Sequence, residues 1–183
     1  MKNSFKLLNE ITVFETPYFQ ILDRTYKLPD GREHHFYIQK EVDTCCILAL
    51  TEEGKFIVTE EYRVGPDKTL LELPAGRFES FKQDPEEAIR KELLEETGYS
   101  GKLTKVGAIP TSPYSTRYIH CFYATNCQKI SEQNLDSAEF IKVKLLDKSE
   151  MWKVLMKGDS PSCSCGVFIW EWMKKDGYLG DAM

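Results

Sequence analysis

Short apolar, β-rich runs bounded by turn residues dominate this chain, and three stretches carry helical signals instead. Tyr18 to Leu28 and Glu33 to Lys40 read as strands joined by the turn Pro29-Asp30-Gly31. Thr44 to Leu50 is an apolar run suited to a buried strand. Glu52-Glu53-Gly54 then turns the chain into a further strand, Lys55 to Arg63. Leu70 to Leu73 is a short strand entering a turn at Gly76. Strands are also expected over Leu103 to Ile109, Ile119 to Thr125 and Phe140 to Leu146. The best-marked element is a helix over Pro85 to Thr97. Asp84 serves as N-cap, Pro85 takes the first helical position, Glu87 completes a capping-box pattern, and Gly98 is placed to cap the end in the left-handed conformation. Ala88, Ile89, Leu93 and Leu94 form its apolar stripe. Asp147 to Met156 repeats the capping-box signal, and Val167 to Lys175 reads as a terminal helix. Many strands and few helices predict an α/β fold, a mixed sheet with helices packed on its faces.

Composition narrows the function. The chain has 183 residues and a net charge of -5, which disfavours a nucleic-acid polymer as partner, since that needs a basic surface. A small phosphate substrate stays open, because a bound cation reverses the local sign. No apolar stretch approaches transmembrane length, so no membrane partner is expected. Met1 to Phe14 lacks a signal core, and four of the six cysteines lie in or beside apolar strand-like runs, so a cytoplasmic location is expected. Cys163-Ser164-Cys165 lacks a second pair at zinc spacing.

The helix itself poses an electrostatic problem. Glu92, Glu95 and Glu96 stand at i, i+3 and i+4, on one helix face and roughly 5–6 Å apart at Cβ. Acidic residues in a first turn suit the helix dipole, which accounts for Glu86 and Glu87. Glu95 and Glu96 sit in the last turn, where the dipole disfavours negative charge. A hard divalent cation taking oxygen ligands resolves the repulsion.

The stretch from Gly76 to Tyr99 resembles the signature of the Nudix hydrolase superfamily, G-x5-E-x7-R-E-U-x-E-E-x-G-U with U aliphatic. Glu92, Leu93, Glu95, Glu96 and Gly98 fall on its positions. Two positions depart from it: Lys91 stands for the Arg and Gln83 for the first Glu, and the turn after Gly76 carries one extra residue. The resemblance implies a Nudix α/β/α sandwich with an N-terminal β-hairpin extension, residues 1–40 forming the extension and 41–183 the hydrolase domain. It also implies Mg²⁺ or Mn²⁺ held by Glu92, Glu95, Glu96 and the Ala75 carbonyl, with hydrolysis of a nucleoside diphosphate linked to another moiety.

Within the superfamily the chain is most similar to ADP-ribose and nucleoside-diphosphate-sugar pyrophosphatases, through Leu71-Glu72-Leu73-Pro74-Ala75-Gly76 and Glu60-Glu61-Tyr62-Arg63. That likeness implies Arg63 as a phosphate contact and Glu72 as its support. Thr111-Ser112-Pro113 resembles the branch's T-S-P-G-F loop, with Tyr114 where the Gly is expected. Pro113, Tyr114 and Arg117 are therefore candidate substrate contacts, and the departure leaves substrate choice open. Glu96 and Glu139 are the catalytic candidates. Glu139 matches the acidic residue before a strand that serves the branch as general base, with Asp136 and Glu132 as alternatives. The branch's N-terminal strands imply a homodimer, and Phe19 and Tyr37 are candidate base-stacking or interface aromatics. A small nucleotide is the expected substrate; the alternatives are a dinucleotide, a damaged nucleoside triphosphate, or ligand sensing without catalysis.

Overall fold

The computed structural model describes residues 4–180. Strands β1 (Lys6–Glu15), β2 (Gln20–Lys27) and β3 (Glu33–Lys40) form an antiparallel sheet in that order. With the chain up to Asp43 and the segment Pro110–Tyr118, this sheet makes one compact unit. The β2–β3 hairpin follows the expected turn, where Leu28 N–H donates to the Arg32 carbonyl at 2.8 Å and Gly31 takes φ 88°. Strand β1 is an addition to the expected hairpin. Its ten residues are all exposed, and its pairing with β2 shifts register twice, so the apolar alternation that marks a strand is broken.

The second unit, Thr44–Ile109 and the chain from Ile119 onward, contains the main sheet. Its further strands are β4 (Thr44–Thr51), β5 (Phe56–Arg63), β6 (Lys68–Glu72), β7 (Ala75–Arg77), β8 (Tyr99–Pro110), β9 (Tyr118–Lys129) and β10 (Lys142–Leu146). The order is β10-β5-β4-β9-β8, with β6 paired to β5 and β7 paired to β4. Strand β4 lies parallel to β9 and antiparallel to β5 and β7, so the sheet is mixed. Cys45 to Ala49 are buried without interruption, as a central strand covered on both faces requires.

Helix α1 (Pro85–Thr97) touches β4, β5 and β7, whereas α2 (Lys148–Lys157) and α3 (Cys163–Lys175) pack together on the opposite face. Alternation along β4 divides the work. Cys46 and Leu48 join Phe56, Val58, Met151, Ile169, Trp170 and Met173 in the core under α2 and α3. Trp170 stacks on Phe56 at 5.3 Å between ring centroids. Each such side chain stabilises the fold by about 1.5–3 kcal/mol on full burial. Among the described residues, no helix is long and apolar enough to cross a membrane.

One detail of this sheet positions the site. The C-terminal half of β4 pairs with β5 (Ala49↔Ile57, Leu50↔Phe56), while its N-terminal half pairs on the same edge with β7 (Cys45↔Gly76, Cys46↔Ala75). The sheet therefore splits at mid-strand, and Ile47 N–H closes the gap by donating to the Pro74 carbonyl at 3.0 Å. Strand β7 was not expected from the sequence. Its three residues are too few to carry a periodic signal.

Candidate active site

Helix α1 starts where Asp84 Oδ1 accepts from the N–H groups of Glu86 and Glu87 at 3.0 and 2.9 Å. It stops at Gly98, φ 76°, whose N–H donates to the Leu94 carbonyl. Ile89, Leu93 and Glu96 share the buried face, so a carboxylate is carried into the interior with the apolar stripe. Glu96 is 5% exposed, and its Oε2 accepts from the Ala75 N–H at 3.1 Å. Glu92, one turn earlier, lies against Gly76: a β-carbon built there would stand 1.9 Å from Glu92 Oε1. Split sheet and helix thus press two carboxylates onto the Ala75-Gly76 backbone.

Charge accumulates at this point. Burial, then the charges of Glu139 and Glu95, push Glu92 up to about 7. Glu96 is held well above the ordinary carboxylate range by burial and then by Glu92. Glu139 contributes to both shifts, so the loop before β10 brings its carboxylate into the field of α1. Glu139 Oε2 accepts from the Asp136 N–H at 3.0 Å, which folds the carboxylate back over its own turn.

Arg63 ends β5 beside this cluster. It is clamped between Glu61 (Nη1 to Oε2, 3.0 Å) and the buried carboxylate of Glu72, which accepts from its Nε. Glu72 Oε1 in turn accepts from Ser160 Oγ at 3.2 Å, and Ser162 Oγ accepts from the Leu73 N–H at 3.1 Å. The link between α2 and α3 thereby braces the strand that leads into Ala75. The two departures from the Nudix pattern hold the turn. Gln83 Oε1 accepts from the Glu79 N–H at 2.6 Å, and Lys91 Nζ donates to the Glu79 carboxylate at 2.7 Å.

A hard divalent cation fits these donors by their chemistry. They are oxygen ligands, partly desolvated, and they repel one another enough to raise their own proton affinity. Among the described residues no three acidic, imidazole or thiol groups stand together as a ready-made metal cage.

The remaining sequence candidates belong to the N-terminal unit. Arg117 Nη1 donates to Glu41 at 3.2 Å, and Ser115 Oγ donates to the other oxygen of that carboxylate at 3.3 Å, so Arg117 is engaged in holding its own loop. Pro113 is exposed, as is Tyr114, whose carbonyl accepts from the Gln39 N–H at 2.9 Å. Phe19 packs on Phe14 at 6.1 Å between centroids, and Tyr37 is 61% exposed. His120 stacks on Phe78 in the main unit.

Three residues of the site escape the sequence reading. Glu61 shares a strand face with Arg63 by the two-residue period, a signal that was available. Ser160 and Gln133 act through contacts with residues far away in the chain, which no local pattern encodes.

Carboxylates gathered on a glycine turn, with an arginine fixed alongside, are the equipment of a hydrolase acting on phosphate linkages. Comparison with known proteins agrees. Residues 39–162 match the NUDIX domain. ADP-ribose pyrophosphatase of Bacillus subtilis (strain 168) is 35% identical over 146 residues, 75% of this chain and 78% of that protein. GDP-mannose pyrophosphatase of Cronobacter sakazakii is 34% identical over 120 residues, covering 58% of this chain and 62% of that one. In structure, the fold matches a crystal structure of an ADP compounds hydrolase with TM-score 0.80 at 20% identity, over 95% of this chain and 96% of the other. The chain belongs to the Nudix hydrolase family, whose members generally need a divalent metal.

Proposed function

We propose that this protein hydrolyses the pyrophosphate linkage of ADP-ribose or a related nucleoside diphosphate sugar, releasing a nucleoside monophosphate and a sugar phosphate. The observation that carries this reading is half-buried Glu92 and buried Glu96 on the Ala75-Gly76 backbone, with Arg63 clamped by Glu61 and Glu72 nearby. The names of the pyrophosphatase relatives supply the substrate class.

Glu92, Glu95, Glu96 and the Ala75 carbonyl would hold Mg²⁺ or Mn²⁺, which supplies charge neutralisation on the diphosphate and a more acidic water. Arg63 binds a phosphate oxygen through Nη2, the guanidinium nitrogen that its bonds to Glu61 and Glu72 do not use. Glu139 accepts the proton of the attacking water. Pro113, Tyr114 and Arg117 form the loop that sets preference among sugar moieties, and Phe19 and Tyr37 are offered to the base or to a second copy of the chain. Residues 1–40 act as a dimerisation extension on the domain 41–183, and the protein works as a homodimer. Six free, buried cysteines support a reducing, cytoplasmic setting.

The test is a panel of ADP-ribose, nucleoside diphosphate sugars, dinucleotides and nucleoside triphosphates with Mg²⁺ or Mn²⁺, phosphate products being quantified. Turnover greatest on the first two groups is expected, with loss of more than about 100-fold when Glu95 and Glu96 are both changed to Gln. Tight ligand binding without turnover on any substrate would replace catalysis with sensing. Unchanged activity in the double variant would overturn the metal assignment.

A further inference from the structure

We propose that Gln133 is a positioning residue that ties the loop bearing Glu139 to the C-terminal end of the carboxylate helix. The inference rests on the reading of Glu139 as general base. The last four carbonyls of an α-helix have no partner within it. In α1 that end carries no basic side chain, and its exit is formed by Gly98. The chain after β9 supplies the missing donors. Ile130 and Ser131 N–H groups donate to the Gly98 carbonyl at 2.9 and 3.2 Å, and Asn134 N–H donates to the Glu95 carbonyl at 2.9 Å.

Gln133 adds a donor from its side chain. Its Nε2 donates to the Glu96 carbonyl at 2.6 Å and to the Ile141 carbonyl at 3.2 Å. One amide therefore spans the backbone of a proposed metal ligand and the backbone two residues beyond Glu139. A primary amide has two N–H donors, and both are used here. Gly98 seals the contact: a β-carbon there would lie 2.2 Å from the Ser131 carbonyl oxygen. The segment between Gln133 and Ile141 is anchored at both ends to this amide and closed inside by the Asp136–Glu139 turn. The Gln133 side chain, with the Asn134 N–H on the Glu95 carbonyl, therefore sets the Glu139 carboxylate relative to α1.

The experiment compares Gln133→Met, similar in length but without donors, in the wild-type and Glu139→Gln backgrounds. In the wild type, kcat should fall by about 10- to 100-fold with KM and metal half-saturation within about 2-fold, the signature of a misplaced reacting group. In the Glu139→Gln background the same change should alter kcat by less than about 2-fold, since coupled residues are not additive. Hydrogen exchange should accelerate over residues 130–141 while the buried face of α1 keeps its protection. Equal losses in both backgrounds, or wild-type kcat with unchanged exchange, would overturn the proposal. Full turnover in Glu139→Gln alone would remove the base assignment. The tether would then stand or fall on the exchange data. Should Gln133→Met fail to fold, Gln133→Asn keeps the amide but shortens its reach, and the same outcomes apply.

Discussion

Gly76 leaves no space for a β-carbon, because the Glu92 carboxylate occupies that volume. The clashing group is the far end of a flexible side chain, so Gly76→Ala is expected to fold while Glu92 swings away from the Ala75-Gly76 backbone. The half-saturating concentration of Mg²⁺ or Mn²⁺ should then rise about 10- to 100-fold, the range for disturbing a ligand's supports. Metal titration of activity alongside a thermal melt checks this. An unchanged metal requirement in a folded variant would place Glu92 outside the metal site. The spacing of Glu92, Glu95 and Glu96 made their shared face legible, but Glu96 alone reaches the buried side. That distinction depends on how α1 is rotated against the split sheet, which spacing alone leaves undetermined. Arg63 and Glu72 could be picked out, whereas the Ser160 hydroxyl that holds Glu72 comes from 88 positions along the chain.

At the scale of elements, α1 matches its expected bounds because its signals are local: a cap at Asp84, proline at the first turn and glycine at the exit. The long strands β8 and β9 run past their apolar segments, since ladder hydrogen bonds continue beyond the buried residues. Strand β7 exists because β4 needs a partner where β5 departs. The charge on α1 has a consequence for stability. Glu92 rises from its ordinary 4.5 to about 7 on folding, so between those values the folded chain keeps a proton that the unfolded chain has lost. The pair therefore weakens the metal-free protein as pH rises through that window, and the full penalty applies above it. A bound cation removes the penalty, and binding competes with the proton. Divalent metal should accordingly raise Tm more at pH 8 than at pH 5.5, while the metal-free protein loses stability from this source over the same interval. Calorimetry with and without Mg²⁺ at both pH values tests it; an equal metal-induced shift would separate the metal from Glu92.

At the scale of the whole molecule, the N-terminal sheet is incompletely covered. Strand β1 is an edge strand ten residues long, with Leu7, Leu8, Ile11, Val13 and Phe14 each 42–54% exposed. A long apolar edge invites pairing with another chain unless charge, proline or a cover blocks it. The edges of the main sheet are better guarded, with Lys142 and Lys144 exposed on β10 and Lys102 and Lys105 on β8. The sequence hides β1 because the adjacent pairs Leu7-Leu8 and Val13-Phe14 put apolar residues on both faces and blur the two-residue alternation. The homodimer proposed above would cover this edge, and it predicts a dimer at micromolar concentration by light scattering coupled to size exclusion. Leu7→Lys with Ile11→Lys places two ammonium groups on the apolar edge, where burial without partners is strongly unfavourable. The double variant should run as a monomer, and the melt of the main unit should stay cooperative, because its core draws no residue from β1. A wild-type monomer at tens of micromolar would remove the dimer, and an intact dimer in the double variant would move the interface off β1. Activity lost together with dimerisation would further tie the proposed nucleotide pocket to the second copy.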